Sequence, residues 1–138
     1  MNTILLVEDD LDTQEMMKSM LQRDYRLVCA IDTRQTLEAL ELRRVDLILM
    51  DLSLHRNECG LTLTRYLREQ ETYRDIPIIA LTAHAFSSDK HKCLEAGCND
   101  YLTKPFRVNE LRELIYRFAK PNGTTVSKGD ARPAQALS

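Results

Sequence analysis

Val45-Asp46-Leu47-Ile48-Leu49-Met50-Asp51-Leu52-Ser53 is the stretch on which the fold turns. Leu47 to Met50 is an unbroken run of large apolar side chains that ends on one acid, Asp51. Such a run suits a strand buried on both faces, in the middle of a parallel sheet. A carboxylate after it lies at the strand's carboxyl end. In open α/β sheets that edge is where ligands bind.

The same grammar repeats on either side. Thr3 to Val7 reads as a first strand and stops at Glu8-Asp9-Asp10. Asp10 or Asp12 can cap the helix that follows, whose Met16, Met17, Met20 and Leu21 recur at helical spacing. These methionines are read as core. Tyr25 to Ile31 predicts a second strand, Thr33 opens a second helix carrying Leu37 and Leu40, and Asp46 to Met50 is the third strand. A polar loop from Ser53 to Cys59 leads through Gly60 into a third helix with Leu63, Tyr66 and Leu67. Pro77 opens a fourth strand, Ile78 to Leu81, and Ser87 is read as the cap of a fourth helix that runs to Ala96 and closes at Gly97. Asn99 to Thr103 is a short fifth strand. Asn109 to Ala119 is a last helix, with Leu111, Leu114, Ile115 and Phe118 on one face. Five alternations of strand and helix predict an α/β fold: a five-stranded parallel sheet with helices on both faces, joined by right-handed crossovers.

The chain's 138 residues suit one domain with a sizeable core. Residues 1–120 are expected to form it. Residues 121–138 turn polar and are expected to be a linker stub or a disordered end. Met1 reads as an initiator methionine. Nineteen basic against 21 acidic residues leave a net charge of −2, so no basic excess points to direct nucleic-acid binding. The N-terminus carries neither a signal peptide pattern nor a membrane span, which predicts a cytoplasmic protein without membrane attachment. Cys29, Cys59, Cys93 and Cys98 form no Cys-x-x-Cys pair and are read as reduced thiols.

Parallel strands share one carboxyl edge. Glu8, Asp9 and Asp10 follow the first strand, Asp51 the third, Thr82 the fourth, and Lys104-Pro105 the fifth. Clustered carboxylates raise each other's pKa unless a cation joins them. Oxygen-only donors on a loose rim suit Mg²⁺. A carboxylate beside Mg²⁺, a hydroxyl and a lysine can accept a phosphoryl group. Mg²⁺ and Lys104 would stabilise the equatorial oxygens, and Thr82 could bond one of them afterwards.

These residues resemble bacterial response-regulator receiver domains over about Met1 to Lys120. The resemblance rests on Ile4-Leu5-Leu6-Val7-Glu8-Asp9-Asp10, Asp46-Leu47-Ile48-Leu49-Met50-Asp51, Pro77-Ile78-Ile79-Ala80-Leu81-Thr82-Ala83 and Gly97-Cys98-Asn99-Asp100-Tyr101-Leu102-Thr103-Lys104-Pro105-Phe106. It implies a flavodoxin-like sheet of order 2-1-3-4-5 and a single-domain receiver of two-component signalling. Asp51 would take the phosphoryl group from the phosphohistidine of a histidine kinase. Asp9, Asp51 and the main-chain carbonyl of Ser53 would hold Mg²⁺ (or Mn²⁺), with Glu8 acting through a bound water. Lys104 would pair with the phosphoryl group, and Lys104-Pro105 would be a cis peptide. Thr82 and Tyr101 would form the switch pair that drives the face of helix four, strand five and helix five. Ser53 and His84 border the path of the hydrolytic water in this family. Neither is an acid or amide suited to orient it, so slow or moderate dephosphorylation is expected. The receiver would catalyse its own phosphorylation and dephosphorylation, yet act primarily as a switch. The alternatives are a phosphorelay intermediate serving a histidine phosphotransferase and a receiver from a larger hybrid kinase or regulator. A homodimer stays open, and the downstream target is not legible. Two departures from the family pattern stand out. The first acid is Glu8 where many relatives carry aspartate, and the loop from Leu52 to Gly60 lacks the usual proline and is about one residue longer.

Other chemistries fit less well. A haloacid-dehalogenase-type phosphatase needs a second acid where Ser53 stands. No P-loop is present. A flavin site would want a Ser/Thr/Gly-rich phosphate loop in place of Glu8-Asp9-Asp10. His55, His84 and His91 fall in different segments and are read as exposed or packed side chains, not as a metal set. Asp46 and Asp100 are read as strand-edge or turn residues, not as ligands. Phe86 is read either as a lone exposed side chain or as part of a partner surface.

Overall fold

The computed structural model describes residues 2–52, 60–83 and 87–119. Among these, strands and helices alternate as β1 (Thr3–Val7), α1 (Leu11–Leu21), β2 (Arg26–Ala30), α2 (Thr33–Leu42), β3 (Leu47–Asp51), α3 (Gly60–Glu69), β4 (Ile78–Thr82), α4 (Ser87–Ala96), β5 (Asp100–Thr103) and α5 (Val108–Phe118). All strand pairs are parallel, and the order across the sheet is β2-β1-β3-β4-β5. The sequence reading of a doubly covered parallel sheet holds. Ser53, His55, Cys59, His84, Phe86 and the tail 121–138 lie outside the described residues.

The three central strands, β1, β3 and β4, are buried at every position. Alternate side chains feed two cores. Ile4, Leu6, Leu47, Leu49, Ile79 and Leu81 meet Met17 and Leu21 of α1 and Leu111, Leu114 and Ile115 of α5. Leu5, Val7, Ile48, Met50, Ile78 and Ala80 meet Leu40 of α2, Leu63 and Leu67 of α3, and Cys93 of α4. Full burial of each Leu or Ile stabilises by roughly 1.5–3 kcal/mol, so these two layers, not helix propensity, hold the fold. Helix α4 is the exception in kind: among its described residues, those it supplies to the core are Cys93 and Ala96, both small, while its Leu94 is 45 % exposed.

Several details differ from the sequence reading. Asp51 and Thr82 are the last residues of their strands, not the first beyond them. Met17 and Leu21 are fully buried but Met16 is 46 % exposed. The buried stripe of α1 runs through Gln14, Met17 and Leu21, and Met16 is rotated about 100° off it. Asp10, not Asp12, caps α1, its carboxylate accepting from Thr13 N at 3.0 Å. Ser87, read as a cap, is already the first helical residue of α4.

Helix α4 ends at Gly97, with φ +111°. Gly97 N donates to Leu94 O and Cys98 N to Cys93 O, closing the helix. Arg68 then locks this corner. Its guanidinium donates to the carbonyls of Gly97, Arg74 and Ile76 and to Asn99 Oδ1. Asn99 Oδ1 also accepts from Ile78 N, so one arginine ties α3 to the starts of β4 and β5. Cys29, Cys93 and Cys98 are free thiols. Among the described residues no helix is long and apolar enough to cross a membrane.

Candidate functional site

Strand register assembles the rim. Val7 pairs with Met50, Asp51 with Leu81, and Thr82 with Thr103. Glu8, Asp51, Thr82 and Lys104 therefore stand on neighbouring strand ends. Backbone bonds continue past the strands: Glu8 N donates to Ala30 O, Leu52 N to Leu81 O, and Lys104 N to Thr82 O. The Lys104–Pro105 peptide bond is cis.

The acids are withdrawn from solvent. Glu8 and Asp51 are each 2 % exposed. Glu8, Asp9 and Asp51 each offer an oxygen, and these atoms lie within 4.8 Å of one another. Lys104 Nζ stands 3.4 Å from Glu8 Oε1 and 3.4 Å from Asp51 Oδ2. Both distances exceed the usual 2.7–2.9 Å or so of a charge-assisted hydrogen bond, so one lysine is shared loosely between two carboxylates. Burial pushes the Glu8 carboxyl up to about 7, helped by its hydrogen bond with Asp51 and by the Asp51 charge; Lys104 and the Asp10 N–H oppose the rise.

The donor set fits a hard divalent cation. All three side-chain donors are carboxylate oxygens, and oxygens bound to one Mg²⁺ lie about 3–4 Å apart. The cluster is already close to that spread. A cation would also relieve the repulsion that lifts Glu8.

Thr82 is buried, and strand alternation places it with Ile78 and Ala80 on the α2–α4 face. Tyr101, paired with Ala80, packs against that same core. Its ring lies 5.2 Å from Lys90 Nζ of α4. Asp46 accepts from Thr3 N and Asp100 from Tyr101 N, so both serve the backbone. His91 faces Glu95 along α4, at 3.4 Å.

Three contributors escaped the sequence reading. The Gln14 side-chain amide donates to the Glu8 carbonyl at 2.6 Å. Its signal was a polar residue on the 14–17–21 stripe. Gly60 opens α3 directly beneath Asp51: an added Cβ would stand 2.7 Å from Asp51 O. Glycine there allows α3 to start against the end of β3. Arg68 carried no local signal at all.

The raised Glu8 carboxyl sets a pH dependence. The folded metal-free protein holds a proton on Glu8 that the unfolded chain releases near pH 4.5. The folded state thus binds more protons between that pH and about 7, and the Glu8 contribution to stability falls as pH rises through this window. The loss should be on the order of 3 kcal/mol. Urea unfolding in EDTA of wild type and Glu8→Gln across the window should show wild type losing ground to the variant with rising pH. A constant difference would count against it.

The description "Response regulator receiver domain" matches residues 4–116. The polar-differentiation response regulator DivK of Brucella ovis is 36 % identical over 117 residues, covering 82 % of this chain and 92 % of that one. The receiver domain of the sensor histidine kinase PA1611 from Pseudomonas aeruginosa, solved with magnesium coordinated in its active-site cleft, is 43 % identical with a TM-score of 0.76, covering 85 % of this chain and 96 % of that one. The chemotaxis protein CheY4 of Vibrio cholerae superposes with a TM-score of 0.80 at 27 % identity, covering 86 % and 99 % of the two chains. Matched over nearly all of its described length, with buried acids and a lysine on the carboxyl rim of a 2-1-3-4-5 sheet, the chain belongs to the response-regulator receiver-domain family.

Proposed function

We propose that Asp51 accepts a phosphoryl group from the phosphohistidine of a histidine kinase or histidine phosphotransferase. The observation that carries this reading is the set of buried Glu8 and Asp51 with half-buried Asp9, and Lys104 between the first two. An Asp51 oxygen attacks phosphorus in line, the P–N bond breaks with its electron pair going to nitrogen, and the imidazole leaves neutral, keeping the proton already on its other ring nitrogen. Lys104 moves from the carboxylates to an equatorial phosphoryl oxygen. Mg²⁺ (or Mn²⁺), held by Asp9, Asp51 and the Ser53 carbonyl and by Glu8 through water, would neutralise charge on the other oxygens. The test is incubation with acetyl phosphate, read by intact mass. One phosphoryl adduct should form with Mg²⁺ or Mn²⁺ and none in EDTA. Equal labelling in EDTA would end the metal-assisted reading.

The domain is residues 1–120, with 121–138 a polar tail, and the protein works in the cytoplasm. Output passes through α4, β5 and α5. Support comes from α4, whose described core residues are small and so inexpensive to move. Thr82 bonds the phosphoryl oxygen while Tyr101 turns inward, which biases a two-state surface. Thr82→Ala should therefore still label, but amide shifts in α4 and β5 that move on phosphorylation of wild type should barely move in the variant. Identical shifts in both would remove Thr82 from the switch.

The likeness to a receiver domain of a sensor histidine kinase favours a second reading, a relay intermediate. Rapid return of the phosphoryl group to a histidine phosphotransfer domain would support it. A phosphorylated form that instead binds a non-kinase target would support the switch.

A further inference from the structure

We propose that Gln14 is a positioning residue that sets the metal affinity of the acidic turn, an inference that rests on the metal-site reading above. Gln14 donates twice to the segment that carries the acids. Its side-chain amide donates to Glu8 O at 2.6 Å, and its main-chain N–H donates to Asp10 O at 3.0 Å. The two bonds straddle Asp9. The Glu8 carbonyl belongs to the peptide plane that leads into Asp9, so holding that oxygen fixes the direction in which the Asp9 side chain leaves the backbone.

The bond is needed because β1 ends at Val7. Glu8 N still finds Ala30 O, but its carbonyl has passed the last rung of the sheet. Gln14 reaches it from the buried stripe of α1 at 7 % exposure. The side-chain type matters. Asparagine is a methylene shorter. A lysine would bring a second cation to acids that need room for a divalent one. Glutamine supplies a donor without charge. Groups that orient metal ligands from behind typically govern affinity by about 10–100-fold when removed.

The test is Mg²⁺ titration of the full chain, followed by the amide shifts of Glu8, Asp9 and Asp51. Gln14→Met keeps the length and shape and removes the donor. It should weaken Mg²⁺ binding by about tenfold. Met17→Val, a core change on the same helix, should lower stability and leave Mg²⁺ affinity within twofold or so of wild type. Equal affinity of Gln14→Met and wild type overturns the proposal, as does equal weakening in Met17→Val. A second measurement needs no variant: the Gln14 side-chain amide resonances in wild type should be slow to exchange and should shift on Mg²⁺ saturation. Unmoved resonances also overturn it. If wild type shows no Mg²⁺-dependent shifts at the three acids, the metal-site reading itself fails and this inference with it.

Discussion

Asp51→Asn is expected to take up no phosphoryl group under conditions that label wild type, a loss of at least about a thousandfold, the scale of deleting a nucleophile. The change is nearly isosteric, so the fold should survive it. The asparagine amide oxygen is neutral and weakly nucleophilic, and it cannot share charge with a cation. Glu8 and Asp9 lie close enough to ask whether either could substitute. Glu8 matches Asp51 in burial and in its distance to Lys104, but it is disfavoured as a nucleophile because it holds its proton up to about pH 7. Asp9 precedes α1 at the outer side of the rim and is the more exposed of the three. Intact-mass analysis after acetyl phosphate and Mg²⁺ reads the adduct directly. Thr82→Ala, which keeps all three acids, serves as the folded control and should label. Equal adducts on wild type and Asp51→Asn would move the acceptor to another residue.

What could be read without coordinates follows from how each feature is encoded. Strand ends were legible to within a residue because apolar runs stop abruptly, as at Val7 and Met50. A parallel sheet then projects residues far apart in sequence onto one edge, so Glu8, Asp9, Asp51 and Lys104 could be grouped from local pattern alone. Strand order is different. Periodicity says nothing about which strand lies beside which, and the order 2-1-3-4-5 came from likeness to a family. Polar side chains that serve distant backbone were out of reach. Arg68 looks like any surface arginine of α3, yet it satisfies carbonyls at Arg74, Ile76 and Gly97. Only the fold brings those carbonyls beneath it. The stripe of α1 was misread at Met16 because hydrophobicity was followed instead of phase. The phase that fits the core runs through a glutamine.

Charge balance offers a probe of the rim. In EDTA, at low salt and about pH 8, Glu8 is above its raised pKa of about 7, and it and Asp51 share one lysine at 3.4 Å from each. Removing an acid should relieve repulsion, so Asp51→Asn should raise stability by about 1–2 kcal/mol although it abolishes phosphorylation. Removing the cation should act oppositely. Lys104→Ala leaves two buried carboxylates without compensation and should cost about 2 kcal/mol, less than a fully buried pair because the lysine is partly exposed. The two changes touch one network and should not add. In the double variant Glu8 has lost both the repulsion and the compensation, so its stability should lie near wild type. Mg²⁺ at about 10 mM should then separate the variants by mass action. Lys104→Ala keeps every proposed side-chain donor and should regain most of its loss, whereas Asp51→Asn lacks one and should gain little. Urea unfolding of the four proteins, with EDTA and with Mg²⁺, supplies the eight curves. An Asp51→Asn variant less stable than wild type in EDTA would show that Lys104 already neutralises Asp51 and that the rim stores no repulsion for a cation to release.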